Sequence, residues 1–355
     1  MQTNIVKNGV FDKAYAEIAT DFTKRLLEID SPTGFTRYAA QFVKNEFESL
    51  GYEASFTVKG GVIVKLGGLD ESNAVLFEAH TDTLGGMVAE IKGNGRLRLT
   101  PLGGMRAENG EAENVKVYTR SGKVIEGTFQ LCNASVHVNT SYADTARNFD
   151  TTEVVLDENV NSAEDVRALG IEVGDIVAFD PRVRITDSGY IKSRFLDDKL
   201  SCGILYGFAK YLKDNAIVPQ RCVYIHVTVY EEVGHGGCAS VPSGVTDIIS
   251  VDMGCVGSGL SCTERDVSIC AKDSGGPYNY ELVGELIEAA KLEGASYAVD
   301  VYPRYGSDVE ATLGAGFDTR HGLIGAGVYA SHGYERSHID GVYNTIKVIK
   351  GFLKV

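Results

Sequence analysis

Five times along this chain an apolar, β-rich run stops at residues that carry charge or a metal-ligating nitrogen. The clusters are "AHTD" (His80, Asp82), "LDDK" (Asp197, Asp198), "YEEVG" (Glu231, Glu232) and "SVDMG" (Asp252). The fifth, "YASHGYERSHID", follows the apolar run 323–330 and offers His332 and His338. Open α/β sheets gather ligand and catalytic groups where the C-terminal ends of their strands converge. Five clusters on five such ends therefore predict an α/β fold with one shared site.

The intervening pattern agrees. "KAYAEIATDFTKRLLEI" and "TRYAAQFVKNEFESLG" space their apolar residues as helices do, and the second closes on Gly51. "EASFTVKG", "GVIVKLGG" and "AVLFEAHTD" read as strands. From about Gly86 to Asp187 the texture changes to short β-like runs with hairpin turns at "GNG" and "RSGK" and one helical candidate, "SAEDVRALG". The change predicts a small β-rich domain, residues 86–187, inserted into an α/β domain built from 1–85 and 188–355. The α/β pattern resumes with the helix "DKLSCGILYGFAKYLKDN" and the strand "RCVYIHVTVYEE".

Composition removes several function classes. A length of 355 residues suits about two domains. A net charge of -14 argues against a nucleic-acid partner, which needs concentrated basic surface. No apolar run is long enough to span a bilayer, so no membrane partner is expected. The first residues lack a basic stretch followed by an apolar one, so export is not expected and the cytoplasm is the default. Seven cysteines, an odd number without CxxC pairs, predict free thiols and neither a disulfide framework nor a zinc finger.

His, Asp and Glu without cysteine suit a borderline-hard divalent metal such as zinc, cobalt or manganese. Four or more carboxylates in one site repel one another, and a pair of cations neutralises them. In "HTD", strand alternation puts His80 and Asp82 on one face, so that Asp82 orients the imidazole. Glu231 and Glu232 point to opposite sides of an extended chain, so one can ligate while the other takes a proton from water. Each cluster has a plainer explanation. Asp197 and Asp198 read as helix caps, His80 as a core histidine, the Glu pair as a solvated strand end, and Asp252 as a turn residue before Gly254. All of these would have to hold together and in this order. Cys238 beside His235 is a nucleophile and base on paper, but "GHGGC" lacks a third group to orient them.

On these residues the chain resembles the tetrahedral (TET) and glutamyl aminopeptidases, a family of exopeptidases with two catalytic metals. The resemblance runs through "AHTDTLGGMVAEIKGNGRLRLTPLGG", "VGDIVAFDPRVRITDSGYIKSRFLDDKLSCGIL", "VTVYEEVGHGGC", "DMG" and "NTIKVIKGFL". It implies a zinc-exopeptidase α/β/α catalytic domain interrupted by a small β-barrel, PDZ-like domain used in assembly. It also implies a metal-dependent aminopeptidase acting on peptides, with two divalent cations per subunit, zinc foremost, and a homo-oligomer based on dimers, up to a dodecamer. Carried over motif by motif, His80 and Asp252 bind the first metal, Asp197 bridges both with Asp198 in support, and Glu232 binds the second. Glu231 is the general base and Asp82 orients His80. The C-terminal histidine departs from the family's usual pattern: counting back from "NTIKVI" favours His332, with Glu335 nearby, and His338 is the alternative. Asp308, in "YGSDVEAT" where the family lines its substrate site, receives no role.

The rival readings are a di-metal deacylase or carboxypeptidase, a carbohydrate hydrolase and a non-catalytic scaffold. Adjacent Glu231 and Glu232 do not supply the separated pair of acids that a glycosidase needs. Side-chain preference depends on the pocket: Arg or Lys there favours acidic N-terminal residues, and an apolar lining favours leucine-like ones. The sequence does not say which residues line it.

Overall fold

The computed structural model describes residues 11–355; the stretch read as lacking an export signal begins outside the described residues. Helix α1 (Ala14–Leu27) buries Ala16, Ala19, Phe22, Leu26 and Leu27, a stripe at helical spacing. Helix α2 (Arg37–Ser49) is followed by Gly51 at φ 80°, the left-handed turn that favours glycine. Strands β1 (Glu53–Phe56), β2 (Val62–Gly67) and β3 (Asp70–His80) follow. The last seven residues of β3 are all buried, as in a strand covered on both faces.

The next segment closes on itself. Strands β4 (Gly85–Ile91), β5 (Leu97–Leu102), β6 (Glu113–Tyr118), β7 (Val124–Leu131), β8 (Thr152–Leu156) and β9 (Ile176–Phe179) form a closed barrel in the order β4-β5-β8-β7-β6-β9. Helices α3 (Ala107–Gly110) and α4 (Ala163–Leu169) interrupt it. Burial alternates along β6 and β7, which places Val115, Val117, Ile125 and Phe129 in the barrel core. "GNG" and "RSGK" are the β4–β5 and β6–β7 connections.

The chain then rejoins the first sheet. Strands β10 (Arg184–Ile185) and β11 (Tyr190–Ser193) lead into α5 (Leu196–Asp214), then β12 (Arg221–Thr228), β13 (Val245–Val251), β14 (Gly254–Val256) and β15 (Val267–Lys272). Helix α6 (Tyr280–Leu292), β16 (Tyr297–Val301), α7 (Asp308–Gly314), β17 (Arg320–Tyr329), β18 (Glu335–His338) and α8 (Ile339–Leu353) complete it. The main path of this 12-stranded sheet runs β1-β2-β12-β3-β13-β17-β18-β11-β10. Strand β10 lies within the stretch expected to be insert, yet it pairs with β11 of the main sheet.

Four neighbours at the centre, β12, β3, β13 and β17, are parallel, so their C-terminal ends open on one edge. Glu78 and His226 face each other inside that parallel core, His226 Nδ1 lying 3.2 Å from Glu78 Oε1. Helix α5 packs on α1 through Gly203, where a Cβ would sit 2.1 Å from Thr23 Oγ1 and 2.4 Å from the Ala19 carbonyl oxygen. Only glycine admits that approach.

Candidate active site

Each parallel strand delivers a polar cluster at its C-terminal end. His80 is the last residue of β3, Glu231 and Glu232 follow β12, Asp252 follows β13, and His332 follows β17. Asp197 and Asp198 reach the same edge from β11, across a cis peptide bond at the start of α5. Their carboxylates turn to histidines and away from a simple capping duty. Asp197 Oδ1 lies 3.2 Å from His80 Nε2, and its Oδ2 lies 3.4 Å from His332 Nε2. Asp198 Oδ2 accepts the His80 backbone N–H at 3.1 Å.

The remaining distances complete the centre. Glu231 Oε2 is 3.6 Å from His80 Nε2, and Glu232 Oε2 is 3.8 Å from His332 Nε2. Two groups offer ligand atoms within 4.8 Å of one another: His80, Asp198 and Asp252, and His80, Asp197 and Glu232. The other C-terminal histidine stands apart. His338 accepts the Asp340 N–H at the start of α8, and its Nε2 meets the Ser188 carbonyl at 2.8 Å.

Two expectations about local geometry change. Glu231 and Glu232 leave the strand and enter a short 3₁₀ turn, Glu231–Val233, after Tyr230 at φ 71°. The turn aims both carboxylates into one cavity, where an extended chain would have sent them apart. Asp82 lies beyond the end of β3, and it is its backbone carbonyl that meets His80 Nδ1, at 2.9 Å, with its carboxylate 3.7 Å away. That carboxylate accepts the backbone N–H groups of Glu231 (3.1 Å) and Glu232 (3.3 Å) and the Thr33 hydroxyl (2.7 Å). Asp82 therefore braces the glutamate turn as well as the histidine.

Glu335, expected only to lie near His332, accepts the N–H of Asp197 (3.0 Å) and of His332 (2.9 Å). Sequence reasoning missed other supports because they are contacts between distant segments. Asn109, on the barrel segment, donates to the His332 carbonyl at 2.9 Å. Gly104 leaves room for the His332 ring: a Cβ there would lie 2.6 Å from Nδ1. Asp308 is buried, accepts the Gly237 N–H at 2.6 Å and the Thr228 hydroxyl, and lines the cavity.

The electrostatics are those of crowded acids. Burial, reinforced by Asp197, pushes Asp252 up to about 7, and burial raises Glu231 and Glu232 well above the usual carboxylate range. Burial also works against Asp197, but hydrogen bonds from His332 and His80 outweigh it and hold that carboxyl low. The hydrogen bond to Asp197 lifts His332 to about 10. Burial would lower His80, yet Glu231, Asp197 and Asp82 together hold it well above the ordinary imidazole value. Asp198 Oδ1 is buried without a hydrogen-bond partner among the described residues. An orphaned carboxylate oxygen among acids and imidazoles fits a divalent cation. Beside the centre lies a cavity of about 990 Å³.

Histidines and carboxylates gathered on the C-terminal edge of the parallel core of a mixed sheet are the kind of centre that a metal-dependent hydrolase uses. Comparison with known proteins makes this specific: the chain belongs to the M42 glutamyl aminopeptidase family, whose profile matches residues 60–348. It is a peptide hydrolase of the aminopeptidase class. It is 40% identical over 329 residues to the "Putative aminopeptidase YhfE" of Bacillus subtilis, covering 93% of this chain and 95% of that one. The glutamyl aminopeptidase of Lactococcus lactis subsp. cremoris is 27% identical over 222 residues, 61% of each chain. Among solved structures, a TET aminopeptidase from a marine sediment archaeon, Thaumarchaeota archaeon SCGC AB-539-E09, superposes with a TM-score of 0.86 at 20% identity, covering 96% of each chain. The Pyrococcus horikoshii TET1 peptidase, described as assembling into a tetrahedron or a large octahedral shell, gives 0.82 at 21% identity, covering 94% of this chain and 99% of that one. The α/β fold is the fold of these aminopeptidases.

Proposed function

We propose that this aminopeptidase removes N-terminal residues from peptides with two divalent cations, zinc foremost. His80 and Asp252 would hold one and Glu232 and His332 the other, with Asp197 shared between them and Asp198 in support. The observation that carries this reading is the division of Asp197, whose two oxygens face two different histidines. When bound, the cations would neutralise the acids, acidify water and polarise the scissile carbonyl.

The chain's own residues supply the proton transfers. Glu231 lines the cavity, and burial raises its carboxyl well above the usual range. It accepts a proton from the attacking water and returns it to the departing amine as the amide C–N bond breaks. Asp82 keeps Glu231 and Glu232 in their turn, and Glu335 keeps Asp197 and His332 in register. Asp308 adds a buried carboxylate to the wall, pushed up to about 7 by burial and by Glu78.

The segment 86–187, which contains the barrel, serves as the assembly domain in this reading, and the chain works as a cytoplasmic homo-oligomer. The large assemblies of the P. horikoshii relative support that extension. Among the described residues no helix is long and apolar enough to cross a membrane.

The test is elemental analysis of desalted protein with hydrolysis of aminoacyl p-nitroanilides before and after chelation. Two metals per chain and chelator-sensitive cleavage are expected. Cleavage that survives complete metal removal would overturn the reading, and cleavage of N-acetylated but not free peptides would favour the deacylase.

A further inference from the structure

Two arginines line the active-site cavity from opposite parts of the fold. Arg106 stands on the barrel segment between β5 and α3, and Arg304 stands between β16 and α7. Both are exposed, and neither has an ion pair or an aromatic partner among the described residues. This is unusual company for an unpaired guanidinium, because Asp197, Glu231, Glu232, Asp252, Asp308 and Glu310 line the same cavity.

Those acids are otherwise engaged. The first four belong to the metal centre in the reading above, and Asp308 is held by Gly237 and Thr228. Glu310 hydrogen-bonds Asp273, and burial with that neighbour pushes it up to about 8. Arg106 and Arg304 are thus cationic side chains on the cavity wall that no carboxylate pairs with among the described residues.

Both arginines sit on anchored backbone. The Arg106 segment is pinned to the His332 loop by Asn109 and packs Gly103 and Gly104 against Glu232 and His332. The Arg304 segment is flanked by Tyr302, whose hydroxyl donates to Ser268 Oγ at 2.5 Å, and Tyr305, whose hydroxyl donates to the Met253 carbonyl at 2.9 Å. Anchoring lowers the cost of ordering a guanidinium around a ligand, and its planar fork matches a carboxylate.

Resting on the aminopeptidase reading, we infer that Arg106 and Arg304 bind a carboxylate of the peptide substrate. A peptide offers this group in two places: an acidic side chain on the residue being removed, or the C-terminal carboxylate of a short peptide. The shared chemistry is the same for both, and the substrates can separate them.

The experiment uses the metal-loaded full chain and two matched pairs: glutamyl against glutaminyl p-nitroanilide, and leucylglycylglycine against its C-terminal amide. The readout is the ratio of kcat/KM within each pair, which cancels losses of folded or metal-loaded enzyme. The wild-type protein should favour the charged member of one pair, and Arg106→Ala or Arg304→Ala should reduce that ratio about tenfold or more. Arg304→Lys should restore part of it. A drop in the first pair names the side chain, and a drop in the second names the C-terminus. Ratios unchanged by both alanine variants would overturn the inference while leaving the hydrolase reading intact. No cleavage of any of the four would overturn both.

Discussion

Glu335 holds Asp197 by its backbone: Oε2 accepts the Asp197 N–H at 3.0 Å, 138 residues away in sequence, while Oε1 accepts the N–H of His332. One buried carboxylate thus sets the spacing of two groups proposed to meet the same cation. Glu335→Ala should leave two N–H groups unpaired and weaken metal retention about tenfold or more, the usual effect of losing a support behind a ligand. Chelator competition measures this. Glu335→Gln, which keeps an accepting oxygen, should recover part of the loss, and equal retention by the wild type and the alanine variant would remove Glu335 from this role.

Glu231→Gln should preserve the metal content and reduce kcat by about 10²–10⁴, because the amide cannot take the proton from water. Steady-state rates on a p-nitroanilide, alongside elemental analysis, decide it. Near-normal turnover with full metal content would eliminate Glu231 as the base.

Chelation should lower the melting temperature as well as the activity. The crowded acids of the centre repel one another without cations, and a ligand at about 1,000 times its Kd stabilises the native state by about 4 kcal/mol. Scanning calorimetry with and without chelator is the measurement, and coincident transitions would contradict a tight cation site.

Gly104→Ala tests the contribution of the barrel to the centre. The added methyl would meet the His332 ring at 2.6 Å, so the ring must shift. We expect metal held by His332 to exchange faster in this variant, with the melting temperature of the chelated protein little changed. Identical exchange rates would mean that the loop yields in place of the ring.

Acid sensitivity should reside partly in Asp247, away from the active site. Burial pushes its carboxyl up, but hydrogen bonds from Arg320 and Arg221 overcome this and hold it below the ordinary range. A depressed folded value means the contribution is fully present above the unfolded value, about 3.9, and is lost as pH falls through the folded one. Asp247→Asn should therefore cost about 2 kcal/mol at pH 7, and the gap from wild type should narrow below about pH 4. Urea titrations at pH 7 and 3.5 read this directly, and a gap that stays constant would refute the assignment.

Much of the site was readable in one dimension because its groups sit just beyond the ends of buried strands. His80, Asp252 and the Glu231–Glu232 pair follow apolar runs, and parallel pairing of β12, β3, β13 and β17 brings those ends to one edge. The alternating runs between 86 and 187 likewise announced a β-rich unit, since a strand with one buried face writes its period into the chain.

What escaped were orientations and distant partners. The 3₁₀ turn that aims both glutamates into the cavity follows a left-handed Tyr230, a conformation no local pattern announced. Counting back from "NTIKVI" favours His332 over His338, but the 3.4 Å approach of His332 to Asp197 and the place of His338 at the start of α8 are contacts that chain order did not supply. Glu78 and His226 read as ordinary strand residues until register set them opposite each other. By itself, then, the sequence determined the element types, a β-rich stretch and the supply of histidines and carboxylates at strand ends, because periodicity and strand-end polarity are local properties. Only the tertiary structure decided which groups meet, through which atoms and against which supports, because hydrogen bonds and ion pairs depend on distances that chain order does not encode.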